Sequence, residues 1–181
     1  MKKISSVLLL FLLSISIYAQ QNVTKFLGIP VDGSKADMIQ KLKEKGFTYN
    51  TTTDRLEGVF NGEKVHILIQ TNKNKVWRIA VIDQITRDEG QIKIRYNLLC
   101  QQFKDNPKYF PLKKIQELSD NEDISYEISI HQKQYQAVYL QLPREGAQNR
   151  IVWFKIVKDY GEYYIAIYYE NDSNASHGED L

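Results

Sequence analysis

Met38, Ile39 and Leu42 recur at helical intervals among Lys35, Lys41, Lys43 and Glu44. That spacing predicts an amphipathic helix with one apolar stripe. Ser34 stands where an N-cap belongs and Asp37 follows three residues later, so a hydroxyl and a carboxylate can serve the unpaired N–H groups of the first turn. Gly46 supplies a left-handed stop without a Cβ clash, and Phe47 can fold back on the last turn.

Beyond this helix the period shortens to two. Leu56–Phe60 and Val65–Gln70 flank Asn61-Gly62, a pair suited to a tight hairpin because both turn positions need positive φ. Val65, Ile67 and Ile69 then face the helices. A second turn at Asn72-Lys73-Asn74 leads into Val76–Ile82, with Trp77, Ile79 and Val81 expected on one face. Thr86-Arg87-Asp88-Glu89 reads as another capping box, starting a helix that runs from about Arg87 to Gln102, with the stripe Ile92, Tyr96, Leu99 and Phe103. Asn106–Asn121 carries Pro107 and Pro111 and reads as a loop with at most a short helical turn.

In the last third, Ile124, Tyr126, Ile128 and Ile130 alternate with polar residues and predict a half-buried strand. Tyr135–Leu140 forms the next strand, and Pro143–Asn149 is polar loop. Ile151–Val157 and Tyr163–Tyr169 pair across Asp159-Tyr160-Gly161. Residues 171–181 lack an apolar period and read as a disordered tail. The expected fold is α+β: a two-layer arrangement with a mostly antiparallel sheet of about seven strands and two main helices on one face. The order helix, meander, helix, meander suggests a degenerate tandem αβββ repeat with halves at 26–84 and 86–170.

Composition adds an address and removes some functions. Lys2 and Lys3 precede the apolar run Val7–Leu13, and Ile17-Tyr18-Ala19 offers a small residue at a cleavage position; residues 1–19 therefore read as a secretory signal peptide. The run falls short of the roughly 20 residues needed to span a bilayer, so no stable membrane anchor is expected after cleavage, and the product is expected in the periplasm or outside the cell. The remaining 20–170 fits one domain. Lys and Arg total 24 against 22 Asp and Glu, and Lys2 and Lys3 account for the excess. A near-neutral mature chain lacks the broad positive field that captures nucleic acid. Cys100 is the single cysteine, so stability rests on apolar burial and backbone hydrogen bonds, not on an intramolecular disulfide.

The stretch FLGIPVDGSKADMIQKLKEKGF (26–47), followed by LEGVFNG (56–62) and the late IAIYYEND (165–172), resembles a family of signal-peptide-bearing, uncharacterised proteins of Bacteroidetes bacteria. That family supplies no activity to carry over. Gly33-Ser34-Lys35 with Met38, Leu42 and Gly46 also resembles the first helix of the helix-plus-sheet modules of the outer-membrane assembly lipoprotein BamE and of the β-lactamase-inhibitor protein. This second likeness implies a fold and, as one functional option, an inhibitor-like module acting on a secreted enzyme.

Catalytic and metal-binding patterns are sparse. His66 and His131 are expected to point away from the core, and His177 lies in the tail. No paired Cys or His spacing suits a transition metal. Asp120, Glu122 and Asp123 lack the alternating ligands and glycine of a calcium loop. No glycine-rich phosphate loop or nucleophile elbow appears, so neither cofactor nor metal is expected, and an enzyme would need an unrecognised loop-built site. Strand parity instead places Trp153, Lys155, Tyr164 and Tyr168 together on the outer side of the last hairpin. Such a patch suits an envelope protein, a peptide or a glycan, although tyrosines on a sheet also serve plain cross-strand packing. The leading expectation is an exported, non-enzymatic binding module.

Overall fold

The computed structural model describes residues 22–115 and 117–176. The signal peptide expected over 1–19 and the end of the tail, 177–181, lie outside them. Among the described residues the fold is α+β, with three helices and an antiparallel sheet of eight strands.

A two-residue ladder joins β1 (Lys25–Phe26) to β2 (Ile29–Pro30). Helix α1 (Lys35–Glu44) follows, its N-cap Ser34 accepting from the Asp37 amide at 3.1 Å. Gly46 takes φ 94° and the Phe47 amide returns to the Leu42 carbonyl. Phe47 is buried because Gly58 leaves room for its ring; a Cβ on Gly58 would lie 2.5 Å from the Phe47 Cδ1. Strands β3 (Thr48–Asn50), β4 (Arg55–Phe60), β5 (Glu63–Asn72) and β6 (Lys75–Asp83) form a meander. Asn61 and Gly62 adopt the positive φ values that the β4–β5 turn requires.

Helix α2 (Glu89–Asp105) starts two residues later than the sequence suggests. Asp88 caps it, accepting from the Gln91 amide at 2.8 Å. Thr86 instead donates its hydroxyl to Glu162, and Arg87 bridges to Tyr163. Residues 106–121 are not wholly loop, since β7 (Tyr109–Pro111) extends the sheet. The stretch after β7 is held along α2 by side chains one helical turn apart: Glu89 accepts from the Ile124 amide, Lys93 donates to the Asp120 carbonyl, and Asn97 exchanges two bonds with the Leu118 backbone.

The strand expected at Ile124–Ile130 is a helix, α3 (Ile124–His131). Asp123 caps it through the Tyr126 amide, and Gln132 ends it in the left-handed conformation. In a strand the four apolar residues would share one face. Here Ile124 is fully buried and Ile128, four residues on, packs against the core, whereas Tyr126 and Ile130 are 53% and 62% exposed. The same letters satisfied both periods, and the cap decided between them. Strands β8 (Gln136–Gln141), β9 (Ile151–Asp159) and β10 (Glu162–Glu170) complete the sheet, with Tyr160 and Gly161 both at positive φ in the last hairpin.

Sheet order is β3-β4-β5-β6-β10-β9-β8-β7. One half therefore contributes α1 and β3 to β6, the other α2, α3 and β7 to β10, and the halves meet where β6 pairs with β10. Val65, Ile67, Ile79, Phe154, Ile165 and Ile167 line the inner face with little or no exposure. Trp77 does not join Ile79 and Val81 there. The β5–β6 register shifts between Gln70 and Thr71, leaving Trp77 as the extra residue of a bulge and half-exposed, while Val76 takes the buried position. The expected tail also begins later than Asn171. Asn171 is buried, donating to the Val31 carbonyl, and Asn174 donates to Asp32 and to the Val76 carbonyl. Residues 171–176 thus tie the end of the last strand to the entry of α1.

Helical geometry at 124–131 sets unequal costs for two isoleucines. Ile124→Ala is expected to destabilise by about 2–5 kcal/mol and Ile130→Ala by no more than about 0.5 kcal/mol, measured by urea unfolding. Similar losses at both positions would restore a shared strand face.

Candidate functional site

Two surfaces carry concentrated chemistry. The first is the outer face of the sheet, which is where Trp153, Lys155, Tyr164 and Tyr168 all lie. Trp153 and Tyr168 are direct cross-strand partners, and their rings stack at 4.2 Å between centroids and 24° between planes, a geometry that adds to simple burial. Lys155 pairs with Ala166, its Nζ 6.0 Å from the Trp153 ring. Tyr164 sits four residues back along β10, opposite Val157. Burial raises both the Tyr164 and Tyr168 hydroxyls above the ordinary tyrosine range.

The bulge brings in two further residues. The Arg78 guanidinium lies 4.0 Å from the Trp77 ring centre and 5.2 Å from that of Tyr168, and it pairs with Glu170 at 2.5 Å. No simple alternation places Trp77 beside Arg78, so sequence parity could not add it. His66 is half-exposed beside Glu57 at 3.5 Å, and burial lowers its pKa. His131 is exposed at the end of α3.

The second surface is a cleft of about 1000 Å³ on the helix side. One wall is the C-terminal half of α2 and the other is the β1–β2 hairpin, with sheet residues as its floor. Its rings are Phe60, Phe103, Tyr109 and Tyr169. Phe26 packs against both Phe60 and Tyr169, at 5.2 and 4.8 Å, and Phe103 meets Tyr109 at 4.7 Å. Polar groups complete the lining: Asn61, Gln102, Asn106 and Gln141 among the amides, the buried Arg150, and the exposed Lys25 and Lys108 at the mouth. Its described lining residues include no Asp or Glu.

Local bonding explains why this cleft holds its shape. Gln141 clamps the β1 backbone from both sides, accepting from the Lys25 amide at 2.7 Å and donating to the Lys25 carbonyl at 2.9 Å. Arg150, buried, donates to the carbonyls of Gln141, Pro143 and Glu145, and desolvation lowers its pKa. Asn61 at the β4–β5 turn donates to Gln102 on α2 at 2.6 Å. Tyr169 bonds to Tyr109 deep in the floor, and burial holds its hydroxyl well above the usual range. These residues come from segments far apart in the chain, and no linear spacing announces them.

Other ionisable groups serve the scaffold. Asp83 and Glu63 face Arg87 and Arg95 at the end of the central strands, with N–O distances of 2.7 to 3.8 Å. Each carboxylate there meets a guanidinium, so the cluster is balanced within itself. Cys100 is buried beside Tyr96 and Tyr139, and burial pushes its thiol up to about 11. Among the described residues no group of three His, Cys, Asp or Glu is placed to hold a metal ion. Comparison of the chain with known protein families, curated proteins and solved structures finds no match.

Burial of Cys100 has a pH signature. Its thiol ionises near 9 when free and near 11 in the fold, so its contribution to stability is complete below about pH 9 and is lost as pH climbs toward 11. Unfolding free energy is expected to fall across that window, and a disulfide reagent at pH 8 is expected to label Cys100 only at the rate of global opening. Labelling at the speed of a free thiol would show an open site.

Proposed function

We propose that this chain is an exported, non-enzymatic binding module that takes its ligand in the cleft between α2 and the β1–β2 hairpin. The observation that carries this reading is the composition of the cleft. Rings and aliphatic groups form its floor, and amides and cations complete its lining. An apolar concavity with a few convergent polar groups is the usual form of a small-molecule site. Catalysis by proton transfer or nucleophilic attack calls for a base matched to neutral pH, and the ionisable groups here are two lysines, an arginine and tyrosines, of which Tyr169 is held neutral. Such groups position and hold. Export is supported by Lys2, Lys3 and the Val7–Leu13 run, and no described helix is long and apolar enough to cross a membrane.

A second reading places the partner on the outer sheet face. The Trp153–Tyr168 stack, with Arg78 beside it and Lys155 and Tyr164 along the same side, offers apolar area with polar handles. An envelope protein, peptide or glycan would fit this face, as would a secreted enzyme inhibited by the module.

Native mass spectrometry of the exported protein separates the readings. The wild type is expected to retain a small ligand, Gln102→Trp is expected to lose it by filling the cleft, and Trp153→Ala with Tyr168→Ala is expected to keep it, all three with wild-type circular dichroism. Retention by Gln102→Trp and loss by the double variant would move the function to the outer face.

A further inference from the structure

We infer that the ligand of the cleft is an anionic amphiphile: a long unbranched acyl chain bearing one carboxylate. This rests on the cleft as the binding site and adds its chemistry.

Charge supplies the first argument. The chain as a whole is close to balanced, 24 cationic against 22 anionic side chains, yet the lining of the cleft carries Lys25, Lys108 and Arg150 and no carboxylate. Both lysines are exposed, and neither enters an ion pair among the described residues. Low-dielectric walls below a mouth of one sign focus its potential on an entering anion. Gln102 and Asn106 add neutral hydrogen-bonding groups to the lining.

Shape supplies the second. Rings lining the cleft are tilted against their neighbours, by 51° for Phe60 against Phe26, 54° for Tyr169 against Phe26, and 59° for Phe103 against Tyr109. A planar base or sugar is best held by a flat ring face or a parallel slot. Tilted rings interleaved with Leu99 and Ile167 suit a flexible polymethylene chain, which follows an irregular surface. The volume, about 1000 Å³, reaches the upper end of the range for small-molecule sites. The hydrophobic term then scales with chain length and the head fixes polarity: carboxylate at the lysines, methyl end over Phe60, Phe103 and Ile167.

Isothermal titration of the folded mature protein with hexadecanoate, hexadecan-1-ol and hexanoate tests this. Hexadecanoate is expected to bind one to one. The alcohol is expected to bind about fivefold more weakly, the size of effect expected for two solvent-exposed charges. Hexanoate is expected to fall below detection, because each buried methylene lost weakens binding by up to about fourfold. Lys25→Met with Lys108→Met keeps the apolar stems, and is expected to lower hexadecanoate affinity to that of the alcohol while leaving the alcohol unchanged. Equal binding of acid and alcohol by the wild type, or no binding of either, overturns the inference. If that occurs while Gln102→Trp still abolishes retention of the native ligand, the ligand class alone falls. If Gln102→Trp leaves both hexadecanoate binding and native-ligand retention intact, the cleft falls with it.

Discussion

Pairing of β6 with β10 is the contact on which the rest of the structure depends. Five residue pairs, from Ala166 and Ile82 to Glu170 and Arg78, join two four-stranded halves into one sheet. Either half alone would expose a long unpaired edge and an inner face larger than its own helices cover. Joined, the halves share a core in which Ile79 lies opposite Tyr169 and Val81 opposite Ile167, all four buried. Polar side chains beside β1 and after β10 reinforce the junction, since Thr24 donates to the Glu170 carbonyl and Asn171 to the Val31 carbonyl. Arg78 pairs with Glu170 across the same two strands. Hydrogen bonds to buried carbonyls gain from a low-dielectric setting, so the seam is fixed by direction as well as by apolar area.

One-sided coverage follows from that sheet. Helices α1, α2 and α3 and the β1–β2 hairpin occupy the inner side, and strand alternation puts Trp153, Lys155, Tyr164 and Tyr168 on the other. The cleft opens on the inner side between α2 and the β1–β2 hairpin, over floor residues of β4, β7 and β10. Gln141 and Arg150 hold its walls through backbone carbonyls and an amide, which leaves Lys25 and Lys108 at the mouth. A site built this way borrows rigidity from the sheet.

Local rules made much of the fold legible. Ser34 capping α1, Gly46 ending it, Asn61-Gly62 and Tyr160-Gly161 in tight turns, and the inward parity of Tyr163, Ile165 and Ile167 all depend on neighbours in sequence. Harder to read were positions where two periods coincide or a polar side chain acts at a distance. Ile124 and Ile128 satisfy both spacing two and spacing four, and Asp123 as a cap was the discriminating residue. Trp77 was displaced by a bulge, which inserts one residue without a composition signal. Asn171 and Asn174 are polar, so an apolar-period criterion assigned them to a tail although their amides anchor it. The outer patch was legible because one hairpin carries it. The cleft was not, because Lys25, Phe60, Gln102, Tyr109, Gln141 and Arg150 meet only after the sheet and α2 have closed.

Amide hydrogen exchange tests the joined sheet most directly. If β6 and β10 seed one cooperative unit, their amides exchange only through global unfolding, with an opening free energy equal to that from denaturant, and both halves share that value. Exchange of one half through a cheaper opening, with β10 released while β4 and β5 stay protected, would contradict it and show two units merely abutting at the seam.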